Sequence, residues 1–324
     1  GTILRGERHA RVTTSIGVTV FEPGDALTAE DLIVEADIAM YDAKETGRNR
    51  VSIAGSDSIE PTRLRRRLAM SDRIRRALVR DDGFMLYEQP ICALATGEVD
   101  RTEILVRMPD GEGELLPPSS FLPIADHFGL MPAVDQWVIV HAIELLAKRQ
   151  RAGIQLGMEV NLSGTSIGDP AVIDFIAASV RNAGIDPTAL TFEVTETEAI
   201  VNIDRARVLS RQLSSLGCAF ALDDFGAGFG SFYYLKHLPF DVVKIDGDFI
   251  KSLPTSTSDQ LTVQAIVTIA RGLSKRTVAE FVGDDRTIEM LREYGVDFAQ
   301  GYHMGKPEPA TLWPAALAAQ AQPV

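Results

Sequence analysis

The sequence predicts an α/β fold: a (β/α)8 barrel, modified by an antiparallel first strand, with a small N-terminal α+β fragment before it. Three observations predict it. From Phe84 onward, short apolar runs alternate with stretches of helical periodicity. Most of these runs are joined through a helical segment, the connection that parallel strands require. The first two are instead joined by Ala95-Thr96-Gly97-Glu98, short enough for a hairpin.

In chain order, Arg11 to Phe21 alternates like a strand. Thr28 to Thr46 reads as an amphipathic helix, with Leu32, Ala36, Ala39, Met40 and Ala43 at helical spacing and Gly47 as its stop. Asn49 to Ile53 reads as one more strand. Two strands and one helix in about 55 residues are too few for an independent core, so residues 1–55 are expected to be the tail of a preceding domain. Gly55-Ser56-Asp57-Ser58 makes a polar break, and Pro61 opens a helix running to about Arg80, which gives a linker at 56–82. The barrel domain is expected over 83–324. Its candidate strands are 84–92, 101–108, 155–162, 190–196, 219–224, 241–246, 277–282 and 298–303. Helices are expected at Ala133–Gln150, Ala171–Ala183, Ala206–Leu216 and Leu261–Gly272. In a TIM-type barrel of this kind, the active site lies at the C-terminal ends of the strands.

Composition excludes several functions. A net charge of −13, from 45 acidic against 32 basic residues, repels polynucleotide backbones, so no polynucleotide partner is expected. A small anionic ligand stays compatible where bound cations reverse the local field. Arg63, Arg65, Arg66, Arg67, Arg73, Arg75, Arg76 and Arg80 crowd one stretch, read as a solvated linker helix rather than a nucleic-acid patch. Cys92 and Cys218 are far apart and are expected to be buried thiols in a reducing cytosol. No apolar run is long enough to span a bilayer and no signal peptide is visible, so a cytoplasmic chain without direct membrane insertion is expected. Five scattered histidines and no nucleophile elbow give Ser/His/Asp catalysis little support.

Five apolar runs each end in a carboxylate, an amide or a lysine: Met158–Asn161, Thr191–Glu196, Phe220–Gly226, Val242–Asp246 and Thr277–Phe281. Several in succession suggest acidic groups converging on one rim of the barrel. In the second strand Glu103, Leu105 and Arg107 share a face; taken singly, Glu103 and Arg107 read as an ion pair. Glu159 and Asn161 share a face in the third, where Asn161 alone reads as a turn former. Glu193 and Thr195 point one way in the fourth, with Glu196 at its exit. Asp223 and Asp224 close the fifth, and two adjacent aspartates after a buried strand are costly unless a cation satisfies them. An Asx turn accounts for one of them better than for both. Gly226, Gly228 and Gly230 then give a pliable loop. Lys244, inside the sixth strand, needs an anionic neighbour that a ring of carboxylates supplies. Oxygen ligands without thiolates or clustered histidines favour Mg2+ or Mn2+ over Zn2+. An aspartate bridging two such ions suits displacement at phosphorus.

Between Leu86 and Pro307 the chain carries, in order, Glu88-Gln89-Pro90-Ile91, Glu103-Ile104-Leu105, Asn161-Leu162-Ser163, Glu193-Val194-Thr195-Glu196, Asp223-Asp224-Phe225-Gly226-Ala227-Gly228, Lys244-Ile245-Asp246, Ala279-Glu280 and Gln300-Gly301-Tyr302. In this it resembles the EAL-domain phosphodiesterases that act on cyclic di-GMP, with Glu103-Ile104-Leu105 in place of Glu-Ala-Leu. The opening segment, with Ser15-Ile16-Gly17-Val18, Ala36-Asp37 and Ala39-Met40-Tyr41, resembles the C-terminal end of a GGDEF diguanylate cyclase domain. The signature loop of that domain is absent, so synthesis of cyclic di-GMP is not expected.

The resemblance implies two Mg2+ or Mn2+ ions per site. Glu103, Asn161, Glu193 and Asp223 would hold the first, Asp223 bridging, and Asp224 and Glu280 would serve the second directly or through water. It implies that Lys244 hydrogen-bonds the attacking water or helps deprotonate it, and that Gln300 positions water or substrate. Arg107, Gln89 and Leu105 would hold phosphate and guanine. Glu196 would fix the glycine loop, which the family uses at its dimer interface, so a homodimer through the barrel is expected. The reaction implied is hydrolysis of one phosphodiester bond of cyclic di-GMP, giving linear pGpG. Three residues depart from the pattern: Ile104 replaces alanine, Phe281 replaces the glycine usual after Glu280, and Gly283 stands where a second glutamate is common, with Asp284 or Asp285 available to substitute. Every expected direct ligand remains, so activity, full or reduced, is expected rather than complete degeneracy. The alternatives are a catalytically silent receptor of the same dinucleotide, signalling through the Arg63–Arg80 helix, and a structural barrel that binds neither nucleotide nor metal.

Overall fold

The structure is a computed structural model and describes residues 2–5, 8–11, 14–21, 32, 36, 39–40, 43, 50–54, 60–80, 82–111, 113–226 and 238–312. They fall into two units, Gly1–Arg73 and Ile74–Val324.

In the first unit, β1 (Thr2–Arg5) pairs antiparallel with β2 (Arg8–Arg11), and β3 (Ile16–Thr19) pairs parallel with β4 (Val51–Ala54). Of the strand expected over Arg11–Phe21, Ile16–Thr19 forms β3 and Arg11 ends β2; residues 12–13 lie outside the described residues. A parallel pair needs a crossover, and the expected helix lies in that interval. Its described residues, Leu32, Ala36, Ala39, Met40 and Ala43, are helical; the rest of 28–46 lies outside the described residues. Gly17 explains how strand and helix meet. A Cβ there would sit 1.9 Å from the Ala36 carbonyl oxygen and 2.1 Å from the Met40 nitrogen, so only hydrogen fits. The helix opened by Pro61 runs Glu60–Ala77, with Arg75 and Arg76 in its last turn, where cations complement the helix dipole.

The second unit is the predicted barrel. Strands β5 (Met85–Ala93), β6 (Val99–Pro109), β8 (Gly157–Asn161), β9 (Leu190–Thr195), β10 (Ala219–Phe225), β11 (Val242–Ile245), β12 (Arg276–Ala279) and β13 (Phe298–Gln300) close on themselves, with β7 (Leu115–Leu116) added beside β6 and β14 (Glu308–Pro309) beside β5. β5 runs antiparallel to both β6 and β13, and the remaining barrel pairs are parallel. The reversal follows from the hairpin: Gly97 takes φ +78°, and Gly97 N–H donates to the Ala93 carbonyl at 2.7 Å.

The expected helices appear as Met131–Arg151, Pro170–Ala183, Ile203–Leu216 and Thr257–Gly272. Asp169 caps the second by accepting from Ala171 N, and Gly184 ends it in the left-handed conformation. Among the described residues, five shorter α-helices were not anticipated: Pro118–His127, Gly164–Ile167, Glu196–Val201, Gly247–Lys251 and Asp285–Tyr294. No helix among the described residues is long and apolar enough to cross a membrane. Both cysteines are buried thiols, as expected, and burial pushes the Cys218 thiol up to about 11.

Two strands end earlier than expected, and the site depends on it. Residues 277–282 were expected to be extended, but Phe281 has φ +53° and the strand stops at Ala279. Residues 298–303 were expected likewise, but Gly301 at φ +157° turns the chain against Val282, where a Cβ would lie 2.3 Å from backbone N and O. Inside the barrel, Ile91, Ala221, Val242, Val278 and Phe298 form an apolar floor. Polar residues of the same strand faces lie above it, toward the C-terminal ends. Ile104, on the opposite face of β6 from Glu103, is buried, so its extra bulk stays away from the carboxylates.

Candidate active site

Lys244 is the hub. It sits in the four-residue strand β11, fully buried, and its face of the strand points into the barrel. Nζ lies 2.9 Å from Glu193 Oε2, 3.0 Å from Glu280 Oε1, 3.3 Å from Asp223 Oδ1 and 3.4 Å from Glu103 Oε2. These carboxylates come from β9, from the residue after β12, from β10 and from β6. The register is staggered: Glu103 pairs with Glu159, Asn161 with Glu193, and Thr195 with Asp223, so each carboxylate lies two residues further along than the one before it, an offset that the tilt of barrel strands takes up.

Amides complete the ring. Glu103 Oε1 accepts from Asn161 Nδ2 at 2.8 Å and its Oε2 accepts from Gln300 Nε2 at 2.6 Å. Gln300 Nε2 also reaches Gln89 Oε1 at 3.3 Å, and Gln89 Nε2 donates to the Gly305 carbonyl at 3.0 Å. Glu159, on the face shared with Asn161, lies deeper and is neutralised by Arg101 at 3.3 Å.

Asp223 and Asp224 are neighbours in sequence, and a regular strand would point them to opposite faces. The register of β10 against β11 shifts between Leu222 and Phe225, and Asp224 takes φ +52°. This bulge turns both carboxylates the same way. Oxygens of Asp223, Asp224 and Glu280 consequently lie within 4.8 Å of one another.

Four carboxylates thus contact one ammonium, with Asp224 beside them, and the imbalance shifts their protonation equilibria. Burial raises Glu193 well above the usual carboxylate range, with the charges of Glu103 and Asp223 adding to it against the pull of Lys244. Glu280 is pushed up to about 8 and Asp224 to about 6, burial first in both cases and Asp223 next among the raising charges. For Glu103, burial is outweighed by Lys244 and by the amide donors Gln300 and Asn161, which hold it low. Lys244 is held well above the ordinary lysine range, because Asp223, Glu103, Glu193 and Glu280 together outweigh its burial. Glu193 Oε1 and Gln300 Oε1 are buried without a hydrogen bond, and Glu193 Oε2 and Asp223 Oδ1 have only the shared Lys244 ammonium. Buried oxygens in excess of positive charge are what a hard divalent cation satisfies, so the residues present fit a metal.

Two cavities open here. One, of about 500 Å3, is lined by Gln89, Glu103, Leu105, Asp223, Asp224, Glu280 and Gln300, with Phe281, Val282, Gly283, Gly301 and Tyr302 at its rim. The other, of about 770 Å3, shares Glu103, Leu105 and Asp224 with it and reaches Asn161 and the apolar side of the helix Pro118–His127. Arg107 lines neither cavity. It does not pair with Glu103: it donates to the Val106 carbonyl at 2.9 Å and lies 5.3 Å from the Tyr87 ring centroid. The ion pair expected from their shared face fails because Glu103 is already taken by Lys244 and two amides. Glu196 Oε2 accepts from Gly226 N at 2.9 Å, which pins the start of the glycine loop. Gly228 and Gly230 lie outside the described residues.

Asp284 and Asp285 do not make up for Gly283. Asp284 caps a helix, accepting from Thr287 N at 2.8 Å, and Asp285 lies 3.1 Å from His303 Nε2. Sequence reasoning also missed Asp135, whose buried carboxylate accepts from Ser163 Oγ and Ser166 Oγ, each at 2.6 Å, and fixes the loop after Asn161. It missed Glu198, which accepts from Gly164 N at 2.8 Å and from Thr195 Oγ1 at 2.9 Å. For Glu198 a signal was present: Thr195 followed three residues later by Glu198 is a capping box.

The family profile described as EAL domain matches residues 71–307. The chain belongs to the EAL-domain family. The profile described as diguanylate cyclase, GGDEF domain, matches residues 2–50, so a short GGDEF fragment precedes the EAL domain. Among curated relatives, the cyclic di-GMP phosphodiesterase PdeB of Shewanella oneidensis is 38% identical over 300 residues, 92% of this chain and 35% of the relative. The bifunctional diguanylate cyclase/cyclic di-GMP phosphodiesterase MucR of Pseudomonas aeruginosa is 33% identical over 305 residues, 94% of this chain and 44% of the relative. The chain thus spans well under half the length of these relatives. Among solved structures, a PaMucR phosphodiesterase in complex with c-di-GMP superposes with a TM-score of 0.71 at 32% identity, covering 75% of this chain and 98% of that one. The FimX EAL domain from Pseudomonas aeruginosa bound to c-di-GMP superposes with a TM-score of 0.69 at 28% identity, covering 74% and 97%. The EAL barrel of this chain is therefore matched almost end to end by solved EAL domains.

Proposed function

We propose that this chain hydrolyses cyclic di-GMP to linear pGpG, using two divalent cations, Mg2+ or Mn2+, at the barrel mouth. One observation carries the reading: four buried or half-buried carboxylates converge on a single lysine with the exposed Asp224 beside them, leaving an oxygen-only cluster deficient in positive charge at the barrel mouth. Glu103, Asn161, Glu193 and Asp223 would hold one ion, and Asp223, Asp224 and Glu280 the other. Bound there, such ions supply the Lewis acidity that polarises a phosphodiester and makes water nucleophilic near neutral pH.

The chain's own residues do the rest. Lys244, 2.9–3.4 Å from the carboxylates that would hold the ions, would hydrogen-bond the attacking water or help to deprotonate it. Gln300 and Gln89, linked to each other, orient water and phosphate beside Glu103, and Leu105, which lines both cavities, holds the nucleotide; Arg107 would have to leave the Val106 carbonyl to join it. Water attacks phosphorus, the bond from phosphorus to the 3′ oxygen breaks, and the products keep a 5′-phosphate and a free 3′-hydroxyl. Residues 1–55 would be the end of a GGDEF-like domain, 56–82 a linker helix and 83–324 the catalytic domain. The family resemblance implies a homodimer through the glycine loop that Glu196 anchors at Gly226, and the proposed setting is the bacterial cytoplasm.

Purified protein incubated with cyclic di-GMP and Mg2+, followed by nucleotide separation, should yield pGpG, and a chelator should stop it. Tight binding with no pGpG in either Mg2+ or Mn2+ would establish the receptor reading, which the empty space at Gly283 favours.

A further inference from the structure

Phe281 is unusual on three counts. Its backbone is left-handed, at φ +53°, a conformation costly for a bulky side chain. Its ring remains 59% exposed although it follows directly on the buried Glu280. It also stands on the rim of the 500 Å3 cavity, beside Asp223, Asp224 and Glu280. Packing does not explain a strained residue that keeps most of its apolar surface in water.

Among the described residues, Gly247 and Lys251 back the ring. A Cβ on Gly247 would lie 2.1 Å from Phe281 Cδ2, so the ring rests on bare backbone there. Lys251 Nζ lies 4.3 Å from the ring centroid. Gly247 and Lys251 are four residues apart in one short helix and therefore share a face of it. That helix supports the ring from behind, and the remaining surface is free. Gly283, two residues on, meets nothing closer than the Phe281 carbonyl oxygen at 4.0 Å, so no side chain there fills the space or offers a hydrogen bond to a ligand. Tyr302, 69% exposed, lines the same cavity.

We infer that the Phe281 ring is a stacking platform for one purine base of the nucleotide, gripping its face where position 283 has nothing to grip its edge. The inference rests on the cyclic dinucleotide reading of the site. The ammonium of Lys251 against the ring and the glycine beneath it hold the platform flat and fixed before the ligand arrives.

The test measures cyclic di-GMP affinity by titration calorimetry in EDTA, and KM and kcat in Mg2+, for the wild type and for Phe281→Gly, Phe281→Leu and Phe281→Trp. Stacking on an aromatic side chain changes affinity by roughly five- to a hundred-fold per base. Phe281→Gly and Phe281→Leu should weaken binding and raise KM by about ten-fold or more, with kcat changed far less. Phe281→Trp should bind as tightly as the wild type or more tightly. The melting temperature of Phe281→Gly should not fall, because glycine relieves the left-handed strain. Unchanged affinity in Phe281→Gly, or full affinity in Phe281→Leu, overturns the platform and leaves the hydrolase reading standing. A wild type that neither binds nor cleaves cyclic di-GMP removes both.

Discussion

Arg149 and Lys244 are both fully buried and both face carboxylates, yet their surroundings differ in balance. Arg149, near the end of the helix Met131–Arg151, reaches the two oxygens of Glu88 at 2.7 and 2.8 Å on the outer side of β5. Its Nε also donates to the Thr311 carbonyl at 3.2 Å, so one cation and one anion close a tie between helix, strand and C-terminal segment. Lys244, inside the barrel, meets four carboxylates with a fifth nearby. A matched pair is architecture: its desolvation is offset within the fold itself. A cluster with surplus charge is unsatisfied until something arrives. Buried charge alone therefore does not mark a functional site, whereas buried charge that does not sum to zero does.

Breaking the unbalanced cluster should have the largest effect. Asp223→Asn should lower turnover on the order of a thousand-fold, beyond the cost of losing an outer partner of a metal ligand. Circular dichroism should show the fold intact, because one repulsive charge has gone. Mg2+ should raise the melting temperature of the wild type by roughly 5–10 °C at a hundred-fold excess over Kd, and that of Asp223→Asn much less. An equal Mg2+ response in both proteins would remove Asp223 from the ligand set.

Breaking the balanced pair should act on stability instead. Arg149→Met leaves Glu88 buried without a counter-charge, with only the Thr311 N–H at 3.3 Å, and should cost about 3–5 kcal/mol in urea unfolding. Turnover per folded molecule should hold, and adding Glu88→Leu should recover much of the loss. A fall in kcat with unchanged stability would contradict the contrast drawn here.

The smallest effect sharpens the comparison from the other side. Gly283→Glu adds a carboxylate in open space, at a backbone conformation that is not left-handed. Turnover at limiting Mg2+ should rise by up to about ten-fold, within the range for an outer partner. No change in turnover or in Mg2+ dependence would show that the departure at 283 is neutral.

Much of the site was legible because strands have a period of two. Glu103 with Leu105, Glu159 with Asn161, and Lys244 between two apolar residues could each be assigned a face before any coordinates. Alternation of strands and helices then placed those faces at one end of a barrel. Periodicity could not show where it would fail. The β10 bulge that turns Asp224 alongside Asp223, and the left-handed Phe281 that ends β12, are local breaks in period whose cause lies in neighbouring strands. Nor could it rank partners: Arg107 looked like the mate of Glu103 until Lys244, 141 residues away, proved nearer.

By itself, then, the sequence determined the barrel, its reversed first strand and the acidic character of its mouth, because hydrophobic period and hairpin length are local properties. Which carboxylate meets which cation was decided only in three dimensions. Electrostatic pairing depends on distance in space, and the register of eight strands around a closed sheet sets that distance.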